Sequence, residues 1–275
     1  MSKIISSSTF RGSRHLTQTK REQEKITQKL SSGNRINSAS DDAAGLGISK
    51  KLTAATRSKR QAMRNANDAI SIVQTIEGGL KDFALLVNRM RELAIQASSG
   101  TYNPDERMMM NMEFQQNMRQ IDQLARKQEI FGQKIAVGNS RKLQIQVDIK
   151  KGSSNKIEID LENLSHTTAA LGINDADIAS QRHAGFSLVK LDYAQKEISK
   201  SMARMGALTS RLNSAINKLQ GDVVNTSAAN GRIKDTDYAQ TTAQNASNKI
   251  KQNGQTSVQA QTNNGFSSAL KLIDN

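Results

Sequence analysis

The longest regular pattern in the chain is a seven-residue repeat of apolar positions between residues 43 and 98. Ile76, Phe83 and Met90 mark the repeat, and other apolar residues fill the three- or four-residue spacing between them. This period predicts one long helix with an apolar seam. At 1.5 Å per residue such a helix is on the order of 80 Å long, too long for the interior of one globule. It therefore needs a partner helix.

A second seven-residue repeat begins near residue 178 and supplies that partner. Gln195 and Thr209 interrupt one line of its seam. The two repeats have comparable lengths, so we expect the two helices to pair along their whole extent. The apolar positions of the second repeat are Leu191, Ile198, Met205, Leu212 and Leu219.

Two shorter elements are predicted between the long helices. A helix begins at Asn103 and Pro104, where a capping residue precedes a proline suited to the first helical position, and it runs to about Gln128. It folds back on the first helix, and we expect the methionines at 108, 109, 110 and 112 to pack as adaptable core side chains. From residue 141 to residue 164 apolar and polar residues alternate, which predicts one small β-hairpin.

The two ends of the chain are polar, with only thinly spread apolar residues. Such segments bury too little apolar surface to offset the entropy of ordering, so we expect them to be largely disordered in an isolated chain. A single chain is also expected to leave its apolar seam exposed. The predicted domains are an N-terminal arm at 1–42, a helical rod at 43–232 and a C-terminal arm at 233–275.

These elements together predict the fold class. The chain is expected to be mainly α, an elongated antiparallel coiled-coil or helical bundle with one small β-hairpin. Its terminal arms are expected to order as helices on assembly, when more apolar surface is buried than one chain possesses.

Composition excludes several kinds of chemistry. The chain has no cysteine, so it holds no disulfide, no thiolate zinc site and no cysteine nucleophile. His15, His166 and His183 lie in separate segments without the spacing of metal ligands. The glycine pairs near residues 45 and 78 lack the Gly-Lys-Ser/Thr sequence of a phosphate-binding loop. We therefore expect no catalytic site, no cofactor and no enzyme activity.

The net charge of +14 suits an anionic partner, yet 39 basic residues are dispersed among 25 acidic ones. A basic coiled-coil nucleic-acid binder is a distant alternative, disfavoured because aromatic residues are scarce and unclustered. The sequence contains no run of eighteen apolar residues, so we expect no membrane insertion. The first residues also lack the apolar core of a secretory signal. If the protein leaves the cell, another export route carries it.

Three segments match the motifs of one known family. The first reads KLSSG, RINSA and DDAAGL between residues 29 and 46, and the second reads RMRELAIQA from residue 89. The third reads NTSAAN and RIKDTDYA between residues 225 and 239. The chain therefore resembles the bacterial flagellins at both ends and over most of its length.

The resemblance implies a structural subunit that polymerises into the flagellar filament used for swimming. Both arms would form an inner coiled-coil tube, and the rod with its hairpin would form the layer around it. The implied location is outside the cell, reached through the flagellar export apparatus without a cleaved signal peptide, with a chaperone and the filament cap as further partners. Within the same machinery a hook–filament junction protein is the alternative, disfavoured by the DTDYA match at 235–239.

The chain also departs from the family pattern. Ile130, Phe131 and Gly132 stand where an aromatic-asparagine-glycine turn is usual, and Asn34 stands where an apolar residue is common. Both arms carry fewer apolar residues than is typical, so we hypothesise a specialised or minor flagellin with a polar inner layer. Because like charges accumulate in a polymer, the +14 charge predicts an acidic partner such as a second flagellin, an acidic modification or a sheath layer.

One further property follows from the second motif by resemblance. Arg89, Leu93 and Glu113 correspond to residues through which animal innate immunity recognises monomeric flagellin. The alternative reading is structural: Arg89 and Glu113 form a surface ion pair, and Leu93 packs the seam.

Overall fold

A computed structural model describes residues 2–130, 133–134, 142–149, 155–160 and 165–273. In these residues helices dominate, and the predicted mainly α fold class is confirmed. The helices are α1 (Ser2–Ser32), α2 (Ala43–Ser98), α3 (Pro104–Lys127), α4 (Gln181–Lys234) and α5 (Tyr238–Ile273). The strands are β1 (Glu129–Ile130), β2 (Gln133–Lys134), β3 (Leu143–Gln146) and β4 (Lys156–Ile159).

The caps explain where α2 and α3 begin. The Asp42 carboxylate accepts a hydrogen bond from the Gly45 amide at 2.8 Å and so caps the start of α2. At α3, the Asn103 side chain accepts from the Glu106 amide at 2.8 Å while the Glu106 carboxylate accepts from the Asn103 amide at 2.9 Å. This reciprocal capping box, with Pro104 in the first turn, fixes the turn between α2 and α3.

The predicted hairpin is present as β3 and β4, which pair antiparallel with Ile145 opposite Ile157. Ile149, expected to continue the alternation, lies beyond β3 and is exposed. Residues 150–154 of the predicted turn and residues 161–164 lie outside the described residues. A second short antiparallel pair, β1 with β2, follows α3 and was not predicted. Its two-residue strands are too short to produce a visible alternation.

The chain divides into two compact units. Unit 1 contains residues 1–56 and 224–275, and unit 2 contains residues 57–223. The predicted arms ended at 42 and began at 233, so in the structure the first part of α2 and the last part of α4 belong with the arms. Both helices run through this division without a stop, which is why the sequence does not mark it.

Unit 2 contains two apolar clusters. One joins α2, α3 and the start of α4 around Phe83, Met90 and Phe114, and the other joins α2, the β3–β4 hairpin and α4 around Ile76 and Leu212. All eight predicted seam residues are buried here: Ile76, Phe83, Met90, Leu191, Ile198, Met205, Leu212 and Leu219. The expectation that a single chain leaves its seam exposed is therefore wrong for unit 2, because α3, α4 and the hairpin cover it.

The methionine cluster at the start of α3 departs from its predicted role. Met108, Met109 and Met112 are exposed, and only Met110 packs partly against the core. The prediction of simple core packing is wrong for the three exposed side chains. The first two turns of α3 project them away from Phe114 and Met118, which form the buried face of the helix.

Unit 1 has a different interior. In its described part, helix α1 packs against α5 and Ile36 is the one apolar side chain that is fully buried. The other buried side chains are polar: Thr19, Ser49, Thr56, Thr241 and Asn248. In the described part of unit 1 the fully buried side chains are thus mostly polar, whereas unit 2 has an apolar core.

We expect truncation of the seam to destabilise unit 2. Leu191→Ala removes a fully buried side chain and should lower the free energy of unfolding by about 2 to 5 kcal/mol, whereas Leu85→Ala, at a side chain 67% exposed, should change it by less than about 0.5 kcal/mol. Urea unfolding followed by circular dichroism measures both. Equal effects of the two substitutions would contradict the assignment of Leu191 to the core.

Candidate assembly site

The two family motifs at opposite ends of the chain meet in unit 1. The loop after α1 forms an antiparallel bridge with the loop before α5, between Asn34 and Asp235. The Arg35 amide donates to the Lys234 carbonyl at 2.6 Å, and the Thr236 amide donates to the Gly33 carbonyl at 3.0 Å. We call residues 33–36 and 233–238 the arm junction.

Side chains reinforce the arm junction. The Arg35 guanidinium donates to the Ile233 carbonyl at 2.8 Å, and the Tyr238 hydroxyl donates to the Leu30 carbonyl at 3.3 Å. Gly33 has φ of +69°, a left-handed conformation that ends α1, and a Cβ there would lie 3.0 Å from the Tyr238 hydroxyl oxygen. Glycine at 33 therefore allows both the left-handed turn and the close approach of the Tyr238 side chain.

The loop between the arm junction and α2 is closed by Asp41. Its carboxylate accepts from the Ser38 amide at 2.9 Å and from the Asn37 amide at 3.0 Å. These backbone donors, that of Ser38 first, hold the pKa of Asp41 below its ordinary value of 3.8. The two neighbouring aspartates have different roles: Asp42 caps α2, and Asp41 closes the loop before it.

Farther along α1 and α5 a hydrogen bond between two side-chain amides joins the helices. The Gln23 side-chain amide donates to the Asn245 side chain, a contact between residues that are 222 positions apart. Thr19 and Asn248 are buried, and α5 leaves Ile250 and Val258 exposed. In its described part, the α1–α5 pair thus buries polar side chains and leaves some of its few apolar side chains exposed.

The three residues assigned to innate recognition lie on α2 and α3. Arg89 forms ion pairs with Glu113 at 2.7 Å and with Glu92 at 3.2 Å, and the hydrogen bonds that it donates to these carboxylates, Glu113 first, raise its pKa. Leu93 is 2% exposed and packs in the unit 2 core. The structure therefore presents the ionic side chains of Arg89 and Glu113 at the surface and buries Leu93 in the core.

His166 and His183 have neighbours that account for them without a metal ion. His166 is buried and stacks on Phe83 with ring centroids 5.6 Å apart, and exposed His183 lies 3.1 Å from the Asp177 carboxylate. Among the described residues, no group of three or more His, Cys, Asp or Glu is arranged to hold a metal ion. In the same residues, no helix has a long enough apolar stretch to cross a bilayer.

Comparison with known proteins identifies the family. The model of the bacterial flagellin N-terminal helical region matches residues 5–140, and that of the C-terminal helical region matches residues 188–273. A flagellin of Halalkalibacterium halodurans is 34% identical over 250 residues, covering 91% of each chain. The flagellar filament 31.3 kDa core protein of Treponema maltophilum is 31% identical over 265 residues, covering 91% of this chain and 92% of its own.

A solved structure agrees with these matches. The crystal structure of Bacillus cereus flagellin aligns with a TM-score of 0.51 and 25% identity, over 61% of this chain and 94% of that one. The fold is thus that of a filament-forming structural protein. The chain belongs to the bacterial flagellins and is a structural subunit of the flagellar filament.

The arm junction should be sensitive to a side chain at position 33. Gly33→Ala places a Cβ in a left-handed conformation and against Tyr238, which should weaken unit 1 by about 1 to 2 kcal/mol. We expect a rise of about ten-fold in the lowest concentration at which filaments form. Sedimentation of filaments at a series of concentrations measures it.

Gly254→Ala is the matched control for this substitution. Gly254 lies within α5, and an added Cβ there meets nothing within 4 Å. Alanine should favour the helix by about 0.8 to 1 kcal/mol and lower the same concentration. A response of Gly33→Ala in the same direction as Gly254→Ala would contradict the role given to the arm junction.

Proposed function

We propose that the chain polymerises by coupled folding, with unit 1 completed only between neighbouring copies. The observation that carries this proposal is the interior of unit 1, where Ile36 is the one described apolar side chain that is fully buried. Burying one isoleucine contributes about 1.5 to 3 kcal/mol, roughly the backbone entropy cost of ordering two residues. A pair of helices this long needs additional buried surface to stay ordered.

Neighbouring copies can supply that surface. Ile250 and Val258 are 72% and 64% exposed on α5, so burial against another subunit would add apolar contacts that one chain lacks. Head-to-tail contacts that do not close into a ring generate an open helix. The two arms would then form the inner layer of the filament, and unit 2 would form the layer around it.

The polar side chains buried in the described part of unit 1 support the hypothesis of a specialised or minor flagellin. Buried Thr19, Thr241 and Asn248 occupy positions where apolar side chains would strengthen the pairing of α1 with α5. We propose that filaments of this chain alone are weaker than those of an apolar-armed flagellin. A second flagellin, an acidic modification or an acidic sheath layer would compensate both this weakness and the net charge of +14.

The location and the remaining partners follow from membership of the family. The proposed site of action is the filament outside the cell. Export would use the flagellar export apparatus and a chaperone, without a cleaved signal peptide, and subunits would be added beneath a filament cap. Incomplete ordering of unit 1 in the monomer is compatible with passage through a narrow channel, since its helices would form after export.

Amide hydrogen exchange tests coupled folding. In the purified monomer, amides of α1 and α5 should exchange nearly as fast as in an unfolded chain, whereas amides of α2 and α4 within unit 2 should be protected. In filaments grown on sheared seeds, both sets should be protected. Strong protection of α1 and α5 in the monomer would contradict the proposal, and so would a concentrated chain that forms no filaments.

We further propose that the monomer is recognised by an innate immune receptor through Arg89, Leu93 and Glu113. The exposed Arg89–Glu113 ion pair supports contact at this surface, and buried Leu93 would act by supporting it from below. A receptor reporter assay should respond to the parent monomer and lose at least about ten-fold in potency with Arg89→Ala.

The control for the recognition assay is Arg64→Ala, at another exposed arginine of α2 in unit 2. Its response should equal that of the parent. An inactive parent monomer, or equal loss from both variants, would exclude recognition through this surface.

A further inference from the structure

Helix α4 carries a second apolar surface besides its buried seam. Phe186, Val189 and Tyr193 are between 57% and 69% exposed, and they recur at three- and four-residue spacing on one side of the helix. Val189 lies two residues before buried Leu191, about 200° around the helix, so the exposed side chains are opposite the core. With Arg182 one turn earlier on the same side, we call this surface the α4 stripe.

Helix α3 carries a comparable surface. Met109 and Met112 are 71% and 68% exposed, and Met112 lies two residues before buried Phe114, again about 200° away. Asp105 precedes Met109 by one turn, and Gln116 follows Met112 by one turn. We call these four residues the α3 face. Methionine side chains adapt their shape to a partner, which suits a contact surface.

The two surfaces have the same spacing and complementary ends. The α3 face runs 105, 109, 112, 116, and the α4 stripe runs 182, 186, 189, 193, so a single offset of 77 positions aligns them. Spacings of four and three residues are those of side chains that interlock between two helices. In this alignment Asp105 lies opposite Arg182, which pairs an exposed carboxylate with an exposed guanidinium.

The directions of the helices decide which partner fits. Helix α3 runs antiparallel to α2, since Arg107 contacts Ala97 and Glu113 contacts Arg89. Helix α4 also runs antiparallel to α2, since Asp192 contacts Arg91 and Asp222 contacts Lys59. The two helices are therefore parallel and lie at similar positions along α2. A second copy standing beside the first with the same polarity, shifted by about 6 Å along the helices, would bring its α3 face against the α4 stripe in the aligned register.

We propose that the α3 face of one subunit packs against the α4 stripe of the next, as a side-by-side contact between copies of this chain. The proposal rests on the polymerisation described above and names its contact in unit 2. The contact is heterologous, because each copy uses a different surface toward each of two neighbours, and it can therefore be repeated without limit. It also removes from water an apolar surface that an isolated subunit exposes.

Disulfide formation between copies tests the contact, since the chain has no cysteine of its own. Met112→Cys and Val189→Cys are prepared as separate proteins, mixed in equal amounts and polymerised on seeds of the parent chain. After mild oxidation we expect a disulfide that joins position 112 of one copy to position 189 of another, identified by mass spectrometry of the digested filaments. Such a bond requires Cβ atoms about 4 Å apart.

The control mixture is Leu85→Cys with Val189→Cys. Leu85 is as exposed as Val189 but lies on α2, outside both surfaces. Filaments without a 112–189 bond above the level of the control would overturn this contact while leaving polymerisation intact. Absence of filaments from the parent chain would instead overturn polymerisation. Loss of incorporation by both interface variants, with Leu85→Cys still incorporated, would support the contact.

A charge exchange gives a second measurement without cysteine. Asp105→Arg and Arg182→Asp, each alone, should slow filament elongation at least about ten-fold, because like charges then face each other. The double variant restores opposite charges and should recover to within about three-fold of the parent. A double variant that elongates no faster than the slower single variant would overturn the proposal. Circular dichroism of each monomer checks that α3 and α4 remain folded.

Discussion

Packing of α2 against α4 within unit 2 is the interaction on which the rest of the structure depends. Neither helix could remain exposed in water, because each carries an apolar seam along much of its length. Their pairing holds α3 and the β3–β4 hairpin in place, since α3 completes one apolar cluster and the hairpin completes the other. The α2–α4 pair therefore determines which side chains of unit 2 are exposed.

The chain combines two kinds of helix pairing. In unit 2 interlocking apolar side chains provide the stability, whereas the described part of unit 1 uses amides, hydroxyls and the backbone contacts of the arm junction. Hydrogen bonds of this kind fix geometry, but each adds only about 1 kcal/mol because water competes for the same groups. Unit 2 is therefore suited to folding alone, and unit 1 is suited to ordering where neighbours exclude water.

The sequence predicts the elements whose hydrophobic pattern is long. It does not predict the features that depend on packing between distant segments. Seven-residue repeats identify α2 and α4, and alternation identifies the β3–β4 hairpin, since burial imposes a period on many residues. The same reasoning misplaces Met108, Met109 and Met112, because residue type alone does not say which side of a helix finds a partner. The contacts of Gly33 with Tyr238 are also invisible in advance, since they join single residues from distant segments.

The arm junction joins segments that lie far apart in the chain. Arg35 contacts Ile233 across 198 positions, and Tyr238 contacts Leu30 across 208. A nascent or truncated polypeptide that ends before residue 233 has every residue needed for α1 and α2 but nothing to close this joint. Closure of the junction therefore requires a chain that extends at least to Tyr238, and a polypeptide truncated before that residue lacks the joint between its two arms.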